Sequence, residues 1–287
     1  MYYLLLHIIV FIWGFTGILG DLISISVEHK VWFRMGIAFA SLLVFNAVYF
    51  RKTLPPTNEW KYLSLSSFFI VMHWLFFFGS IETSTLSIGV VCMSTQAFMM
   101  SLLQPLIRGT KILLHEILLG VLVIIAIGLI FGFEYQHREG ILIGLASSFF
   151  GVVFTIMNSG LIKRMPASMI ASWEMGLGFV FLSIYLLLTN DFNWAEMQPK
   201  GNDVWYLLLL GTICTAVAFP VSVYIMKKLS AYAVSLSVNL EPVYTIVLAL
   251  LLFGKKEQMS AGFYAGTAIL LISVSLESTF SKRFKKS

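Results

Sequence analysis

Residues 231–253, AYAVSLSVNLEPVYTIVLALLLF, form the stretch on which the interpretation of this chain depends. The stretch is long enough to cross a bilayer as a helix, which takes roughly 20 apolar residues, but Glu241 and Pro242 lie near its middle. A carboxylate in hydrocarbon is costly and must face protein or water. Pro242 has no backbone N–H and displaces the carbonyl of Val238 from its helical hydrogen bond. An acid beside a helix break at mid-membrane depth indicates a binding site.

The composition predicts an integral membrane protein. The 287 residues are 59% hydrophobic and 11% charged, with a mean hydropathy of +0.89, whereas soluble domains average about 25% charged residues. The basic residues behind the net charge of +5 are scattered between apolar runs, so no nucleic-acid partner is expected. Cys92 and Cys214 both lie inside apolar runs, which does not suggest a disulfide framework.

Hydropathy in a window of about 19 residues predicts the membrane spans. The chain contains ten apolar stretches, at 3–23, 31–50, 60–80, 86–107, 112–133, 140–162, 168–189, 204–226, 231–253 and 260–279. Cytoplasmic loops carry an excess of Lys and Arg. With the N-terminus in the cytoplasm, thirteen basic loop residues lie inside and five lie outside, namely Lys30, Arg138, Lys200, Lys255 and Lys256. Both termini are therefore expected in the cytoplasm.

A short internal repeat divides the chain into two halves. The motif Arg34-Met35-Gly36-x-x-Phe39 in span 2 recurs as Glu174-Met175-Gly176-x-x-Phe179 in span 7. Because five is odd, two five-span halves have opposite orientations. The predicted fold is an all-α integral membrane protein of ten transmembrane helices in two inverted five-helix repeats, 1–135 and 136–287, which together form one membrane domain. A ligand is expected at the interface between such repeats, near mid-membrane.

Pairs of glycines with small-xxx-small spacing allow helix backbones to approach closely. Such pairs occur at Gly128/Gly132, Gly140/Gly144 and Gly262/Gly266. They indicate packing within one subunit or a dimer face, so the expectation is a monomer or a weak dimer.

The chain resembles the drug/metabolite transporter superfamily, specifically the EamA-type family of ten-helix carriers. The resemblance rests on Trp13-Gly14, Arg34, the segment Phe78–Thr85 and Glu241-Pro242-Val243, and on Glu257 in the place of the family's loop acid. It implies two inverted five-helix repeats, cytoplasmic termini and a central cavity that opens alternately to each side. It also implies small metabolite substrates, often amino acids and often exported.

The first half departs from this pattern. Thr95-Gln96 stand where the loop alignment places an acid–proline pair, and a neutral Gln104-Pro105 follows about two turns later. Only one acid is then expected at mid-depth, which weighs against a symmetric mechanism with two carboxylates.

No sequence motif indicates catalysis or a cofactor. The chain has no Walker-type phosphate loop and no GxSxG elbow, and His115-Glu116 is not followed by the second histidine of a zinc helix. We therefore expect no catalytic residue, metal or cofactor. Transport would run on a gradient or be facilitative, with protons as a possible coupling ion.

Glu241 is the first candidate for substrate binding or coupling, the alternative being a structural acid that bonds backbone groups freed around Pro242. His73 lies well inside span 3, where a bond to a neighbouring helix is the other interpretation. Gln96 and Asn158 suit either a cavity or interhelical hydrogen bonding. The predicted cavity residues are Trp13, His73, Gln96, Asn158, Asn239, Glu241 and Tyr244.

Two further charged residues suit a gate or a structural role, as does Pro242. Arg34 lies near the outer end of span 2, where it can act as a gate, an anchor or a ligand contact. Glu174 lies about one turn into span 7 from the cytoplasmic side, where pairing with a basic loop residue is expected.

The sequence thus predicts a multi-pass secondary transporter of the bacterial inner membrane that works by alternating access, and the resemblance implies that it exports a small, amino-acid-like metabolite. A membrane-embedded enzyme acting on lipid-linked substrates is less consistent with the short loops and mid-depth polar residues. A non-transporting membrane sensor remains the third alternative.

Overall fold

The computed structural model describes residues 1–50, 54–109, 114–254 and 258–284. All regular elements in these ranges are helical. The first half contains α1 (Tyr2–Leu22), α2 (Val27–Phe50), α3 (Trp60–Thr83), α4 (Leu86–Met93), α5 (Gln96–Arg108) and α6 (Leu114–Phe133). The second half contains α7 (Arg138–Leu161), α8 (Ala167–Thr189), the short α9 (Trp194–Met197), α10 (Asp203–Gly211), α11 (Ala218–Ile225), α12 (Ala231–Val238), α13 (Glu241–Phe253) and α14 (Ala261–Phe284).

These helices account for the predicted membrane spans. Eight helical stretches within the described residues are long and apolar enough to cross a bilayer, and the shorter apolar helices Leu118–Phe133 and Ala261–Ser273 occupy the remaining two positions. Outer helix faces carry apolar side chains, such as Leu188 and Leu251, which are 78% and 77% exposed. A bilayer covers such surfaces. The all-α membrane fold of ten spans is therefore confirmed.

Within the described residues, three spans are interrupted or change their helix type. Span 9 breaks at Asn239-Leu240, between α12 and α13, so that Pro242 occupies the first turn of α13, where its missing N–H has no helical partner to lose. Span 4 breaks at Ser94-Thr95, between α4 and α5, without a proline at that point. In span 8 a π-helical segment, Thr212–Val217, separates α10 from α11.

The short sequence repeat forms a reciprocal contact between the halves. A Cβ atom added to Gly36 on α2 would lie 2.9 Å from the ring of Phe179 on α8, and one added to Gly176 on α8 would lie 2.7 Å from the ring of Phe39 on α2. Each glycine therefore packs against the phenylalanine ring of the other copy of the motif, which is the reciprocal arrangement of a two-fold interface. Likewise, α6 packs against α14, and span 4 against span 9. These contacts agree with inverted repeats, whereas the boundary at residue 135 stays a prediction.

The glycine pairs differ in what they pack against. Gly140 and Gly144 lie against Ser84 and Cys92, and Gly262 and Gly266 lie against α6, whereas added Cβ atoms at Gly128 and Gly132 meet nothing within 4 Å. Two of the three pairs therefore serve packing within the chain. These glycine contacts do not test the oligomeric state, so a monomer or weak dimer stays a prediction.

The reciprocal contact leads to a stability prediction. Gly176→Leu should lower the free energy of unfolding by about 1–3 kcal/mol, because the larger side chain overlaps the ring of Phe39. Reversible unfolding in mixed detergent micelles measures the change. Gly128→Leu is the control and should cost less, and Phe39→Ala should rescue the Gly176→Leu variant. Equal effects of the two leucine substitutions would contradict the contact.

Candidate functional site

A cavity of about 100 Å³ lies between the two halves. On general grounds a space of this size accommodates several water molecules or a small ligand. Its walls come from both halves, and the irregular spans 4, 8 and 9 all contribute to it. The lining residues include Trp13, Arg34, His73, Trp74, Gln96, Phe154, Cys214, Phe219, Ser222, Ser235 and Glu241.

Glu241 is the first residue of α13, and its side chain lines the cavity. The helix break therefore creates a helix N-terminus inside the membrane. The partial positive charge of such a terminus favours an acid in the first turn. One turn later, the hydroxyl of Thr245 lies 2.9 Å from the carbonyl oxygen of Gly14, which fixes α13 against α1. The break thus positions the carboxyl group at the cavity, whereas its role in binding or coupling stays a prediction.

Arg34 reaches the same cavity from α2. Its Nε donates a 2.8 Å hydrogen bond to the hydroxyl of Thr215, and the guanidinium lies 3.7 Å from the centre of the Trp74 ring. Its Nη1 is buried without a hydrogen-bond partner. In the part of the chain that the structure describes, the one ion pair within 4 Å joins Arg164 to Glu59. Arg34 and Glu241 thus face one cavity without neutralising each other directly.

The π-helical segment supplies partners to the cavity residues. Its extra-wide turn lets the Thr215 hydroxyl donate to the carbonyl of Leu210 at 2.7 Å while accepting from Arg34. The carbonyl of Cys214 accepts the indole N–H of Trp13 at 3.2 Å. Segments of this type are rare and often occur at functional sites. The signal in the sequence is Pro220, which has no N–H to bond the carbonyl of Ala216 within this segment.

Two further predicted residues also line the cavity. Nδ1 of His73 lies 2.9 Å from the carbonyl oxygen of Ser147, so it carries the hydrogen and Nε2 is left as an acceptor. His73 therefore both joins α3 to α7 and faces the cavity. Gln96 lines the cavity directly after the break in span 4, and its amide nitrogen lies 3.3 Å from the sulfur of Met93.

Three predicted residues lie away from the cavity lining. Asn158 is fully buried and donates a 3.1 Å hydrogen bond to Glu174. Tyr244 packs its ring 5.5 Å from that of Phe11 on α1. Asn239 directly follows α12, and both polar atoms of its buried amide are without a partner.

Glu174 does not have the expected partner. Among the described residues, no Lys, Arg or His nitrogen lies within 4 Å of its carboxyl group, and its contacts are Ser66 and Asn158. The side chain is fully buried instead of extending to the membrane surface. The prediction of pairing with a basic loop residue is therefore wrong, because hydroxyl and amide donors from α3 and α7 take that place.

Several hydroxyl groups of the cavity were not predicted, namely Thr16, Thr155, Ser222 and Ser235. Hydroxyls of this kind commonly bond the carbonyl one turn earlier in their own helix. Thr155 does so with Gly151 at 2.8 Å. A serine or threonine that faces a cavity therefore has the same local sequence pattern as one that faces a neighbouring helix.

A helical membrane bundle with a cavity between two inverted halves is an architecture found among membrane transporters. Comparison with known proteins gives the same class. The chain belongs to the EamA-like transporter family, whose model matches residues 1–132 and 138–279. It is therefore a multi-pass membrane transporter, and the resemblance to the drug/metabolite transporter superfamily is confirmed.

Individual relatives agree with this assignment. Two proteins of Archaeoglobus fulgidus, each named an uncharacterized transporter, are 24% identical to this chain. The first match covers 88% of this chain and 90% of the relative, and the second covers 70% and 69%. A solved structure, titled only as the crystal structure of a protein, superposes with a TM-score of 0.72 at 13% identity over 98% of each chain. That likeness shows the fold.

Proposed function

We propose that this transporter is a secondary carrier that exports a small zwitterionic, amino-acid-like metabolite across a bacterial inner membrane. The observation that carries the proposal is the pair of opposite charges, Arg34 and Glu241, which line one cavity from different halves without an ion pair between them. A buried charge without a partner is costly. A ligand with both a carboxylate and an ammonium group satisfies both residues together.

Arg34 is the proposed contact for the carboxylate. A guanidinium presents a planar set of donors that matches a carboxylate in geometry. Its Nε is already held by Thr215 and its face by Trp74, while Nη1 has no partner. The side chain is thus oriented in advance, which reduces the entropy cost of binding.

Glu241 is the proposed contact for the ammonium group, or for a proton that takes its place during the transport cycle. The surrounding walls are apolar and aromatic, with Trp74, Phe77, Phe154 and Phe219 among them. They suit an uncharged ligand body. A cavity with one cation and one anion does not suit polyanions, which call for several arginine or lysine residues.

The proposed mechanism is alternating access by rocking of the two halves, with both termini in the cytoplasm. The resemblance supports outward transport. No group of three metal-ligating side chains occurs in the described part of the chain. We propose gradient-driven transport and no enzymatic activity.

A thermal-shift screen tests the substrate class. Purified protein is screened against the common L-amino acids, their decarboxylated amines and their deaminated acids. A ligand that binds the native state raises its melting temperature, by an amount equivalent to about 2.7 kcal/mol at a concentration of 100 times its Kd. We expect stabilisation by an amino acid and little by its amine or acid. Equal stabilisation by the amine alone would contradict a zwitterion site.

A further inference from the structure

Glu174 has a fully buried carboxyl group that is absent from the cavity lining. Glu174 on α8 is fully buried between α3 and α7. On α3, Ser66 donates to Oε1 of its carboxyl group, and Ser67 donates to its backbone carbonyl at 2.6 Å. On α7, the amide of Asn158 donates to the same Oε1 at 3.1 Å. Both side-chain donors therefore serve one oxygen.

The other oxygen is unsatisfied. Oε2 of Glu174 and Oδ1 of Asn158 are both buried and have no hydrogen-bond partner. Each of these atoms can only accept a hydrogen bond while the carboxyl group is ionised. An ionised Glu174 would thus be a buried charge with one bare oxygen, which is strongly unfavourable. A hydrogen on Oε2 removes the charge and makes that oxygen a donor.

Among the described residues, no Lys, Arg or His nitrogen lies within 4 Å of this carboxyl group. Glu59, directly before α3, pairs with Arg164 at 3.3 Å, and His73 on α3 bonds Ser147. On α2, Arg34 bonds Thr215. Other charged or titratable groups of these helices are engaged elsewhere or exposed. On α2, Lys30 donates to the carbonyl of Gly20 at 2.9 Å and His29 lies 3.1 Å from the carbonyl oxygen of Asp191. Lys61 on α3 is exposed, and the ring of Tyr224 on α11 lies 6.4 Å from that of Tyr2.

Glu174 is also the repeat counterpart of Arg34, since the two residues open the two copies of the motif. Arg34 on span 2 bonds Thr215 on span 8, and Glu174 on span 7 bonds Ser66 on span 3. Spans 3 and 8 are themselves counterparts in a five-plus-five repeat. One member of the pair faces the cavity and the other is enclosed. Rocking of inverted halves exchanges these two environments.

We propose that Glu174, with Ser66 and Asn158, is a proton-binding site separate from the substrate cavity, occupied in the state seen here. A proton bonds to the carboxylate oxygen Oε2 when the site is loaded. It leaves to water, and the carboxylate reforms, when the α3–α8 interface opens. The use of this proton to drive transport rests on the proposed secondary carrier. Its presence on Glu174 does not, and it can be measured without a substrate.

Infrared spectroscopy of the purified protein in lipid at neutral pH detects the proton directly, because a protonated carboxyl group has its own C=O stretching band. The Glu241→Gln variant removes the cavity carboxyl group from the comparison. We expect a buried carboxylic acid band in Glu241→Gln that is lost when Glu174→Gln is added. The matched control adds Glu139→Gln instead, which removes an exposed carboxyl group and should leave the band. Absence of the band from Glu241→Gln, or its persistence without Glu174, would overturn the proposal.

A second variant tests the proposal even if the double variant Glu241→Gln/Glu174→Gln does not fold. Asn158→Leu in the Glu241→Gln background removes one donor from Oε1 while keeping Glu174. The band should persist and move to higher frequency, because a C=O group with fewer hydrogen bonds has a stiffer bond. An unchanged band position would show that the protonated group lies elsewhere.

Discussion

Glu241→Gln is expected to abolish gradient-driven transport while leaving expression and folding intact. Glutamine has nearly the same shape, but it cannot hold an ammonium group or exchange a proton. Truncating one partner of a buried charged contact costs about 2–5 kcal/mol, which corresponds to roughly 30-fold to several-thousand-fold weaker binding. Uptake into sealed vesicles and the thermal shift with the amino acid found by screening measure the two effects.

Glu139→Gln is the matched control, since Glu139 is exposed in the first turn of α7. It should transport as the wild type does. Unchanged pH-dependent flux through Glu241→Gln would exclude both roles proposed for this residue. It would leave Glu241 as a structural acid at the start of α13. Loss of flux with retained binding would assign it to coupling alone.

Arg34→Lys is expected to weaken binding of the amino acid by roughly 10- to 150-fold, a loss of about 1.5–3 kcal/mol for a hydrogen bond to a charged group. Lysine keeps the charge but lacks the planar donor set and the stacking on Trp74. Binding of the decarboxylated amine, which has no partner for Arg34, should change much less. Titration by thermal shift or calorimetry compares the two ligands.

Arg138→Lys provides the control for a stacked arginine outside the cavity, because the Arg138 guanidinium lies 5.0 Å from the centre of the Tyr135 ring. It should bind both ligands as the wild type does. An equal loss of amino acid and amine in Arg34→Lys would show that the substitution disturbs the cavity as a whole. It would then not identify Arg34 as the carboxylate contact.

The spans and the break in span 9 were predictable because each has a local cause. Hydropathy locates the apolar stretches, and Pro242 prevents a continuous helix. The break at Ser94-Thr95 has no such signal, since the first half has no proline there. It was found only in the structure, at the position where the alignment of the two halves had placed the missing acid–proline pair.

The contacts between helices explain the other differences between the sequence predictions and the structure. Tyr244 follows Glu241 by three residues and so shares its side of α13. However, α13 packs along α1, so only the first residue of the helix reaches the cavity and Tyr244 meets Phe11. Glu174 was likewise expected to pair with a basic loop residue because of its depth in span 7 alone. Sequence spacing gives depth in the membrane, but it does not give the identity of the neighbouring helix.

The reciprocal packing of Gly36 with Phe179 and of Gly176 with Phe39 has a thermodynamic consequence. A contact that a two-fold axis maps onto itself has the same energy when the two halves exchange conformations. It therefore favours neither end state of the cycle and serves as a neutral pivot. Any preference for the inward-facing or outward-facing form must come from positions that the two-fold axis relates but where the two halves have different residues. One such position holds the Arg34–Thr215 contact, and its repeat counterpart holds the Glu174–Ser66 contact.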